Sequence, residues 1–246
     1  MEQNLGNFTR IGRLILCGIA LAIGLSSSSR ATSENSVLAE SVYVVEARGA
    51  DGSGWRGSAV AIAPDMFVTN CHVTRGAATL DVAQGGNRRR AVLRGGSSDL
   101  DLCVLAVSGA GARSPRFRDA SSLAVGETVY AVGYPSGQSL SVRSGVVKAL
   151  HRHENSNVIQ ASATFEPGSS GGALFDRNGN LVGILTFKML AGDDFHFAVP
   201  ADWLSRAVSD TSGVQGAPAF WERRNALPQS LAQIVQKASV VGAGSR

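Results

Sequence analysis

The sequence is poor in aromatic and charged residues, and both shortages narrow the class of protein. Aromatic side chains make up 6% of the 246 residues and charged ones 17%, whereas hydrophobic residues account for 44%. Disordered chains combine low hydrophobicity with high net charge, so this composition excludes disorder over most of the length. The 29 glycines indicate many tight turns and short strands rather than long helices. The length is enough for one large or two small globular units.

The sequence also offers little hydrophobic sequence for crossing a membrane. An uncharged apolar run, LILCGIALAIGL at 14–25, is shorter than the about 20 residues that a transmembrane helix needs. It follows Arg10 and Arg13 and precedes the small residues SSSSRATS, an arrangement typical of a secretory signal peptide. We expect residues 1–31 to be a cleaved signal, with an uncleaved anchor as the alternative. The protein is then exported, periplasmic or secreted, with no stable membrane insertion after cleavage.

A strongly basic surface is absent as well. Removal of residues 1–31 lowers the formal net charge from +4 to about +2, and the basic run that is left is NRRR at 87–90, between Gly-rich turns. Nucleic-acid sites of this kind interleave basic side chains with aromatic ones on which bases stack, and this run has none. We therefore expect a solvated hairpin tip at 87–90 and no nucleic-acid partner.

Cysteine is scarce, and Cys71 and Cys103 are the two that follow the predicted signal. In an exported protein such a pair is free to form a disulfide. The alternative is that both are small buried hydrophobic side chains, because the sequence around each is apolar. The residues themselves leave these two interpretations open.

Short apolar segments separated by Gly, Asp, Asn or Pro recur along the chain and predict an all-β fold. Six occupy residues 41–47, 57–63, 66–70, 78–83, 90–95 and 101–107, and six more occupy 127–135, 140–152, 157–163, 172–176, 181–187 and 195–200. Strands at this spacing are typical of a barrel or sandwich. The polar loop 108–122 separates the two sets, and 201–209 predicts a short amphipathic helix. A second helical pattern lies around 228–238.

Only four histidines are present, and one of them ends an apolar strand. His72 follows VTNC, at a junction of strand and loop where it would face a cleft. In SSDLDLCVLAV, Asp99 and Asp101 stand at the entrance of a buried strand. A carboxylate in apolar surroundings needs a partner such as an imidazole N–H. Hydrolysis by a serine requires such a base and an acid that orients it.

The other histidines are expected to have no catalytic role. His151 and His153, in HRHENSN, are predicted to line an exposed turn, and neither has an acidic or cysteine partner at metal-ligand spacing. His196 is predicted to pack in a strand near the substrate pocket. No metal and no organic cofactor is predicted.

Several segments together resemble the chymotrypsin-like serine peptidases, in particular their HtrA/Deg branch. In chain order they are GSAVAIAPDMFVTNCHV, DLDLCVLAV, VGETVYAVGYPSG, SGVV, FEPGSSGGALFDRNGNLVGI and FHFAVP, which cover about residues 40–208. The resemblance implies two six-stranded antiparallel β-barrels with a short C-terminal helix. It also implies His72 as general base, Asp101 as its orienting acid and Ser170 as nucleophile, in the chymotrypsin order. Asp99 is the alternative acid.

The resemblance places the oxyanion hole at Gly168, Ser169 and Ser170. The N–H groups of Gly168 and Ser170 would point at the developing charge, with Ser169 between them. Digestive relatives have an acid in the position of Ser169, where it pairs with a freshly cut N-terminus. This chain is therefore expected to need no activating cut, or to be gated by a loop rearrangement.

The same resemblance bears on the two cysteines. Cys71 precedes His72, and Cys103 lies two residues after Asp101, so a working triad brings the two sulfurs close together. A disulfide between them would tie the strand of the base to the strand of the acid.

The substrate pocket follows from the same alignment of motifs. Its expected residues are Thr164, Phe165, Leu185, Thr186 and Phe187. Thr164 falls where trypsin has an acidic residue at the base of its pocket. Cleavage after Lys or Arg is therefore disfavoured, and a small or medium aliphatic residue is expected.

The resemblance also implies how the chain is divided. Residues 32–208 would form a trypsin-like protease domain, with one barrel at about 37–110 and the other at about 120–205. The tail 209–246 is too short for the PDZ domain that HtrA proteins usually carry. The predicted function is an exported serine endopeptidase that cuts protein or peptide substrates through an acyl-enzyme. The alternatives are a narrow-specificity processing peptidase and a non-hydrolytic binding or scaffold protein on the same fold.

Overall fold

Strands are the main regular structure in the part of the chain that the structure, a computed structural model, describes. It describes residues 38–137, 139–189, 196–210 and 218–234, so the predicted signal at 1–31 lies outside the described residues. The strands form two closed antiparallel barrels of six strands each. The prediction of an all-β, chymotrypsin-like fold is confirmed.

The first barrel is filled by side chains that alternate along its strands. Its strands are β1 (Val42–Arg48), β2 (Gly54–Ala63), β3 (Met66–Thr69), β4 (Thr79–Gln84), β5 (Asn87–Ser97) and β6 (Leu102–Ala106). They are joined in the order β1-β2-β3-β6-β5-β4. Val45 and Ala47 point to the same face of β1, because side chains alternate between the faces of a strand, and they pack in one cluster with Phe67 and Leu105. Tyr43 meets the Phe67 ring edge-on at 4.8 Å.

The second barrel repeats this design. Its strands are β7 (Thr128–Gly133), β8 (Ser141–His153), β9 (Ser156–Ala161), β10 (Ala173–Asp176), β11 (Leu181–Lys188) and β12 (His196–Pro200). The strand order is β10-β11-β12-β9-β8-β7. A hairpin turn joins β10 to β11, where Asp176 Oδ1 accepts the N–H groups of Asn178 and Asn180 at 2.8 and 2.9 Å. Gly179 supplies the positive φ, +77°, that the turn requires.

The basic run 87–90 is not a hairpin tip, as the sequence predicted, but the start of β5. Asn87 already pairs with Gln84 of β4. The turn is made by Gly85 and Gly86, with φ of +56° and +85°. Two glycines that adopt positive φ make a complete two-residue turn, so the arginines begin the returning strand and are exposed there.

The prediction that His151 and His153 line an exposed turn was wrong. His151 is 4% exposed, with Nε2 3.0 Å from Gln160 Oε1 and Nδ1 2.8 Å from Ser230 Oγ. His153 stacks on Phe220 with the ring centroids 4.5 Å apart. Burial lowers the pKa of both imidazoles below the ordinary value. The C-terminal residues cover this end of β8, and nothing in the local sequence of β8 indicates that cover.

The chain after β12 runs back over the barrels. A 3₁₀ turn (Ala201–Trp203) leads into the predicted short C-terminal helix, α2 (Leu204–Ser209). An earlier one-turn helix, α1 (Cys71–Thr74), follows β3. Two further 3₁₀ turns (Phe220–Glu222 and Arg224–Ala226) precede helical residues at 229–234. Among the described residues, no helix is both long and apolar enough to cross a membrane.

Candidate active site

The candidate base, His72, stands on the one-turn helix that follows β3. α1 begins two residues after Thr69 ends the strand. Trp55 Nε1 donates to Val73 O at 2.7 Å, which satisfies one of the carbonyl groups that a short helix leaves unpaired. The His72 side chain is 26% exposed, so a substrate in the cleft can reach it.

The candidate acid, Asp101, is fully buried against His72. Its φ is +57°, a conformation that residues other than glycine seldom adopt. Asp101 Oδ2 lies 2.6 Å from His72 Nδ1, and Asp101 Oδ1 accepts the His72 main-chain N–H at 2.9 Å. Its own carbonyl accepts Asn70 Nδ2 at 2.9 Å and the Cys71 N–H at 3.3 Å. Because a carboxylate only accepts, the proton sits on Nδ1 and leaves His72 Nε2 free to act as a base.

The candidate nucleophile, Ser170, follows a tight turn. Ser169 N–H donates to Glu166 O at 2.9 Å, with Pro167 and Gly168 between them, and Gly168 has φ of +97°. Pro in the second position and positive φ in the third are the features of a type II turn. The Ser169 N–H is thus bonded inside the turn, and Ser169 lies between the two predicted oxyanion-hole donors without being one of them.

The other two amides of the predicted oxyanion hole point away from the turn. Within the described residues neither the Gly168 N–H nor the Ser170 N–H has a hydrogen-bond acceptor. The carbonyl oxygens of Pro167 and Ser169 each accept a main-chain N–H at 2.9 Å. In a trans peptide the N–H points opposite to the C=O. Fixing these carbonyl groups therefore aims both N–H groups in the direction open to a ligand.

Strand β2 of the first barrel holds the loop of Ser170 in place. Ser58 N–H donates to Ser170 O at 2.7 Å, and Ser58 Oγ donates to Gly168 O at 2.8 Å. The same hydroxyl accepts the Tyr134 N–H at 2.9 Å. A Cβ at Gly171 would lie 2.1 Å from Ser58 O, so only glycine permits this approach. Ser58 thus couples the first barrel to the loop that belongs to the second.

The hydroxyl of Ser170 donates to Thr186 O at 3.5 Å, and in the described part of the chain no hydrogen bond joins it to His72. The segments that carry the two residues are nevertheless adjacent. A Cβ at Gly57 would lie 2.5 Å from Val73 Cγ1 and 3.2 Å from Ser170 O, so one side chain would bridge the helix of His72 and the loop of Ser170. The arrangement is a base–acid pair with a serine and two open amides beside it.

Cys71 and Cys103 are joined in a disulfide, with their Cα atoms 4.9 Å apart. Both residues are buried, at 2% and 0% exposed. The bond connects the start of α1, which carries His72, to β6, which begins directly after Asp101. Of the two interpretations that the sequence left open, the structure has the bonded one.

The residues predicted for the substrate pocket do not all lie together. Thr164, Phe165 and Leu185 line a cavity of about 170 Å³ that also touches Ser169. Thr186 and Phe187 do not line it. Thr186 is 2% exposed, and its hydroxyl donates to Ile184 O at 2.8 Å. Sequence alignment to a motif placed it in the wall, but β11 turns its side chain into the protein.

A larger groove has Gly168 in its lining. Its volume is about 430 Å³, and Gly168 and Pro167 form one end of it. The first barrel supplies the other wall, through Glu46, Ala47, Arg48, Gly54, Trp55 and Arg56. The groove is therefore bounded by the first barrel and by the loop that carries Gly168.

The structure also locates Asp99, which the sequence left as the alternative acid, and His196, which the sequence predicted to pack near the pocket. The Asp99 carbonyl accepts the Phe220 N–H at 2.8 Å, and its carboxylate pairs with Arg223, so it does not contact His72. His196 is 7% exposed, and its Nδ1 accepts the Phe165 N–H at 3.3 Å. His196 thus packs beside the pocket, as the sequence predicted.

Sequence reasoning missed one residue that contacts the base–acid pair. Trp221 Nε1 donates to Asp101 Oδ2 at 3.2 Å, and its ring lies edge-on to the His72 ring at 5.8 Å. The available sign was the FW pair at 220–221, the only aromatic residues after Trp203 in a chain with few of them. No local periodicity indicates that this pair returns to the first barrel.

Comparison with known proteins agrees with this geometry. A family model described as "Trypsin-like peptidase domain" matches residues 57–184. The chain is 37% identical over 151 residues to the serine protease Do-like HtrA of Bacillus subtilis (strain 168), covering 55% of this chain and 34% of that protein. It is 33% identical over 155 residues to a probable periplasmic serine endoprotease DegP-like of Halomonas elongata, covering 59% and 33%.

A solved structure, the HtrA-type protease AlgW with tripeptide, superposes with a TM-score of 0.66 at 29% identity, covering 71% of this chain and 61% of that one. The chain spans about a third of the length of the two curated relatives named above. On the family match, the barrels and the shared sequence, the chain belongs to the trypsin-like peptidase domain family and resembles its HtrA-type members.

Proposed function

We propose that this chain is an exported serine endopeptidase in which Ser170 is the nucleophile, His72 the general base and Asp101 the acid that orients it. One observation carries the proposal. A buried carboxylate holds His72 Nδ1 at 2.6 Å, beside a serine whose neighbouring amides have no acceptor among the described residues. A serine hydrolase needs a base, an acid and an oxyanion site together.

The proposed reaction begins when His72 Nε2 takes the proton of the Ser170 hydroxyl as Oγ bonds to the substrate carbonyl carbon. The Gly168 and Ser170 N–H groups stabilise the oxyanion. His72 then gives the proton to the leaving amine, the C–N bond breaks, and an acyl-enzyme remains for water to hydrolyse by the same steps. The hydroxyl must first turn away from Thr186 O. That hydrogen bond is 3.5 Å long, and so long a bond is weak.

The proposed specificity is for a small or medium aliphatic residue before the cut bond. A pocket that accepts Lys or Arg needs a free carboxylate to pair with the cation. Glu166 is the one carboxylate among the residues that line the 170 Å³ cavity, and its Oε2 is paired with Lys188 Nζ at 3.0 Å. The residues after the cut bond would lie in the 430 Å³ groove, because Gly168, whose N–H is one of the two proposed oxyanion donors, lines it.

Export is supported by two features. The pattern of residues 1–31 is that of a secretory signal. A disulfide such as Cys71–Cys103 persists in oxidising compartments and is rare in the cytosol. A relative with a periplasmic name, the DegP-like endoprotease of Halomonas elongata, is consistent with this location.

The test is labelling with a fluorophosphonate, followed by mass spectrometry of the intact protein and its peptides. We expect a single adduct on Ser170, no adduct in Ser170→Ala, and full labelling of the control Ser169→Ala. Hydrolysis of an unfolded protein substrate should be lost with the label. A folded wild-type protein that forms no adduct would refute the hydrolase and leave a binding or scaffold protein. Labelling without cleavage of unfolded proteins would indicate the narrow-specificity processing peptidase.

A further inference from the structure

Residues 219–223, here called the C-terminal segment, lie against both barrels beside the base–acid pair. Phe220 anchors the segment: it is 0% exposed, and its main-chain N–H donates to Asp99 O at 2.8 Å. Arg223 pairs with the Asp99 carboxylate. The Phe220 ring stacks on His153 of the second barrel. The segment is therefore held at a defined position over the cleft between the barrels.

A second ion pair fixes the middle of the segment. Arg75, which follows the helix of His72, binds both carboxylate oxygens of Glu222 at 3.3 and 3.2 Å. The Ala219 N–H donates to the same carboxylate at 2.7 Å. Burial acts to raise the pKa of Glu222, but the hydrogen bonds from Arg75 and Ala219 outweigh it and hold that pKa below its usual value. Glu222 thus stays charged, and the bidentate geometry leaves the segment little rotational freedom.

Between these two anchors, Trp221 is aimed at the acid. Its ring stacks on Phe187 with centroids 5.1 Å apart and an interplanar angle of 12°, and its edge faces His72. In this position Trp221 Nε1 donates to Asp101 Oδ2 at 3.2 Å. That oxygen is the one that also binds His72 Nδ1.

The Asp101 carboxylate has few other donors. Asp101 is 0% exposed, so its carboxylate does not face bulk water and depends on protein donors. A buried carboxylate with too few hydrogen bonds lowers the stability of the fold. The nearby polar side chains are already engaged. Asn70 Nδ2 donates to the Asp101 main-chain carbonyl, and Thr186 Oγ1 donates to Ile184 O. Apart from His72 itself, Trp221 is the donor that the described residues offer to this carboxylate.

We propose that Trp221 is a positioning residue for the reaction. Its indole N–H fixes Asp101 Oδ2, so that the carboxylate holds His72 in the tautomer and orientation that turn Nε2 toward Ser170. This inference rests on the proposed serine hydrolase mechanism. It is particular to the C-terminal part of this chain, since Trp221 lies beyond residues 57–184 that match the family model.

The test compares Trp221→Phe with the matched control Trp203→Phe. Trp221→Phe keeps a ring to stack on Phe187 and removes only the N–H. The control also loses an indole N–H, but Trp203 Nε1 is buried without a hydrogen-bond partner among the described residues. For Trp221→Phe we expect kcat to fall about tenfold, the rate equivalent of one hydrogen bond to a charged group, with KM unchanged. For Trp203→Phe we expect both constants to stay at the wild-type values.

A second measurement reports the contact without turnover. The His72 Nδ1 proton, which lies between that nitrogen and Asp101 Oδ2, is observed by proton NMR, and we expect its resonance to shift in Trp221→Phe and to stay in Trp203→Phe. Titration of competent sites with the fluorophosphonate normalises kcat if either variant folds less completely. Wild-type kcat and an unmoved resonance in Trp221→Phe would overturn the inference. If the wild-type protein does not hydrolyse or label at all, the proposed function fails instead, and the NMR comparison still decides the role of Trp221.

Discussion

Reduction of the Cys71–Cys103 disulfide should remove a large part of the stability of this domain. The bond joins residues separated by 32 positions, a loop that contains β4 and β5. For a loop of that length, the entropy that the unfolded chain gains when the bond is broken corresponds to about 3.7 kcal/mol at 25 °C. Natural domains have a total unfolding free energy of about 5–15 kcal/mol. The reduced protein should therefore fold, but with a clearly smaller margin.

The experiment compares oxidised and reduced protein in urea. Because both sulfurs are buried, the protein is reduced while unfolded and is refolded by dilution with the reductant present. A Cys17→Ser background removes the third cysteine of the chain. With a urea slope of about 2–3 kcal/mol per M, the midpoint should fall by about 1.5 M. The slope should rise slightly, because the released loop exposes more surface when the chain unfolds. Reduction, unlike substitution by alanine, leaves no cavity to confuse the result.

The same samples separate stability from catalysis. Asp101 is held to the helix of His72 by the Asn70 and Cys71 hydrogen bonds as well as by the imidazole. We therefore expect the rate of fluorophosphonate labelling per folded molecule to be unchanged by reduction in the absence of urea. Equal midpoints for the two samples would refute the loop-closure explanation. A loss of labelling well below the unfolding transition would show that the bond positions the base–acid pair.

Two further predictions concern the support of the site and the buried histidine. Ser58→Ala removes the hydroxyl that bonds Gly168 O and Tyr134 N–H and should lower kcat about tenfold. Ser41→Ala is the control, because the buried Ser41 hydroxyl has no partner among the described residues, and equal losses in the two variants would contradict the prediction. Burial lowers the pKa of His151, so its contribution to stability is present above about pH 6.5 and is lost as the pH falls through the lowered pKa. His151→Asn should flatten the fall of Tm between pH 7 and 5, and an unchanged slope would show that His151 is not the group responsible.

The sequence predicted the barrels well because strand patterns are local. Apolar alternation and Gly-rich turns located all twelve described strands, since each depends on a few neighbouring residues. The errors occurred where a distant segment decides the environment. His151 and His153 look exposed in HRHENSN, yet residues 218–234 cover them in the fold. Hydrophilic composition alone cannot distinguish a turn from the covered end of a strand.

The sequence predicted those parts of the site that short motifs determine, and it failed where the direction of a backbone or side-chain group decides. His72 and Asp101 were named from strand-end positions and family resemblance, and the structure brings them into contact at 2.6 Å. Ser169 stands between the two predicted donors, and the turn that bonds its own N–H depends on backbone torsions that the motif does not give. Thr186 was assigned to the pocket wall for a similar reason, since the direction of its side chain depends on the bulge in β11 between Leu185 and Phe187.

Because aromatic residues are scarce in this chain, the position of its tryptophans is informative. The chain has three tryptophans, and two of them donate their indole N–H groups beside His72: Trp55 to Val73 O, and Trp221 to Asp101 Oδ2. Trp221 contacts Asp101 across 120 positions of sequence. Closing so long a loop costs chain entropy, so other contacts of the segment must offset that cost. Phe220 in the core and the ion pairs of Glu222 and Arg223 provide that anchoring. A tail without a structural role would remain solvated, whereas this one buries Phe220 and places Trp221 against Asp101 and His72.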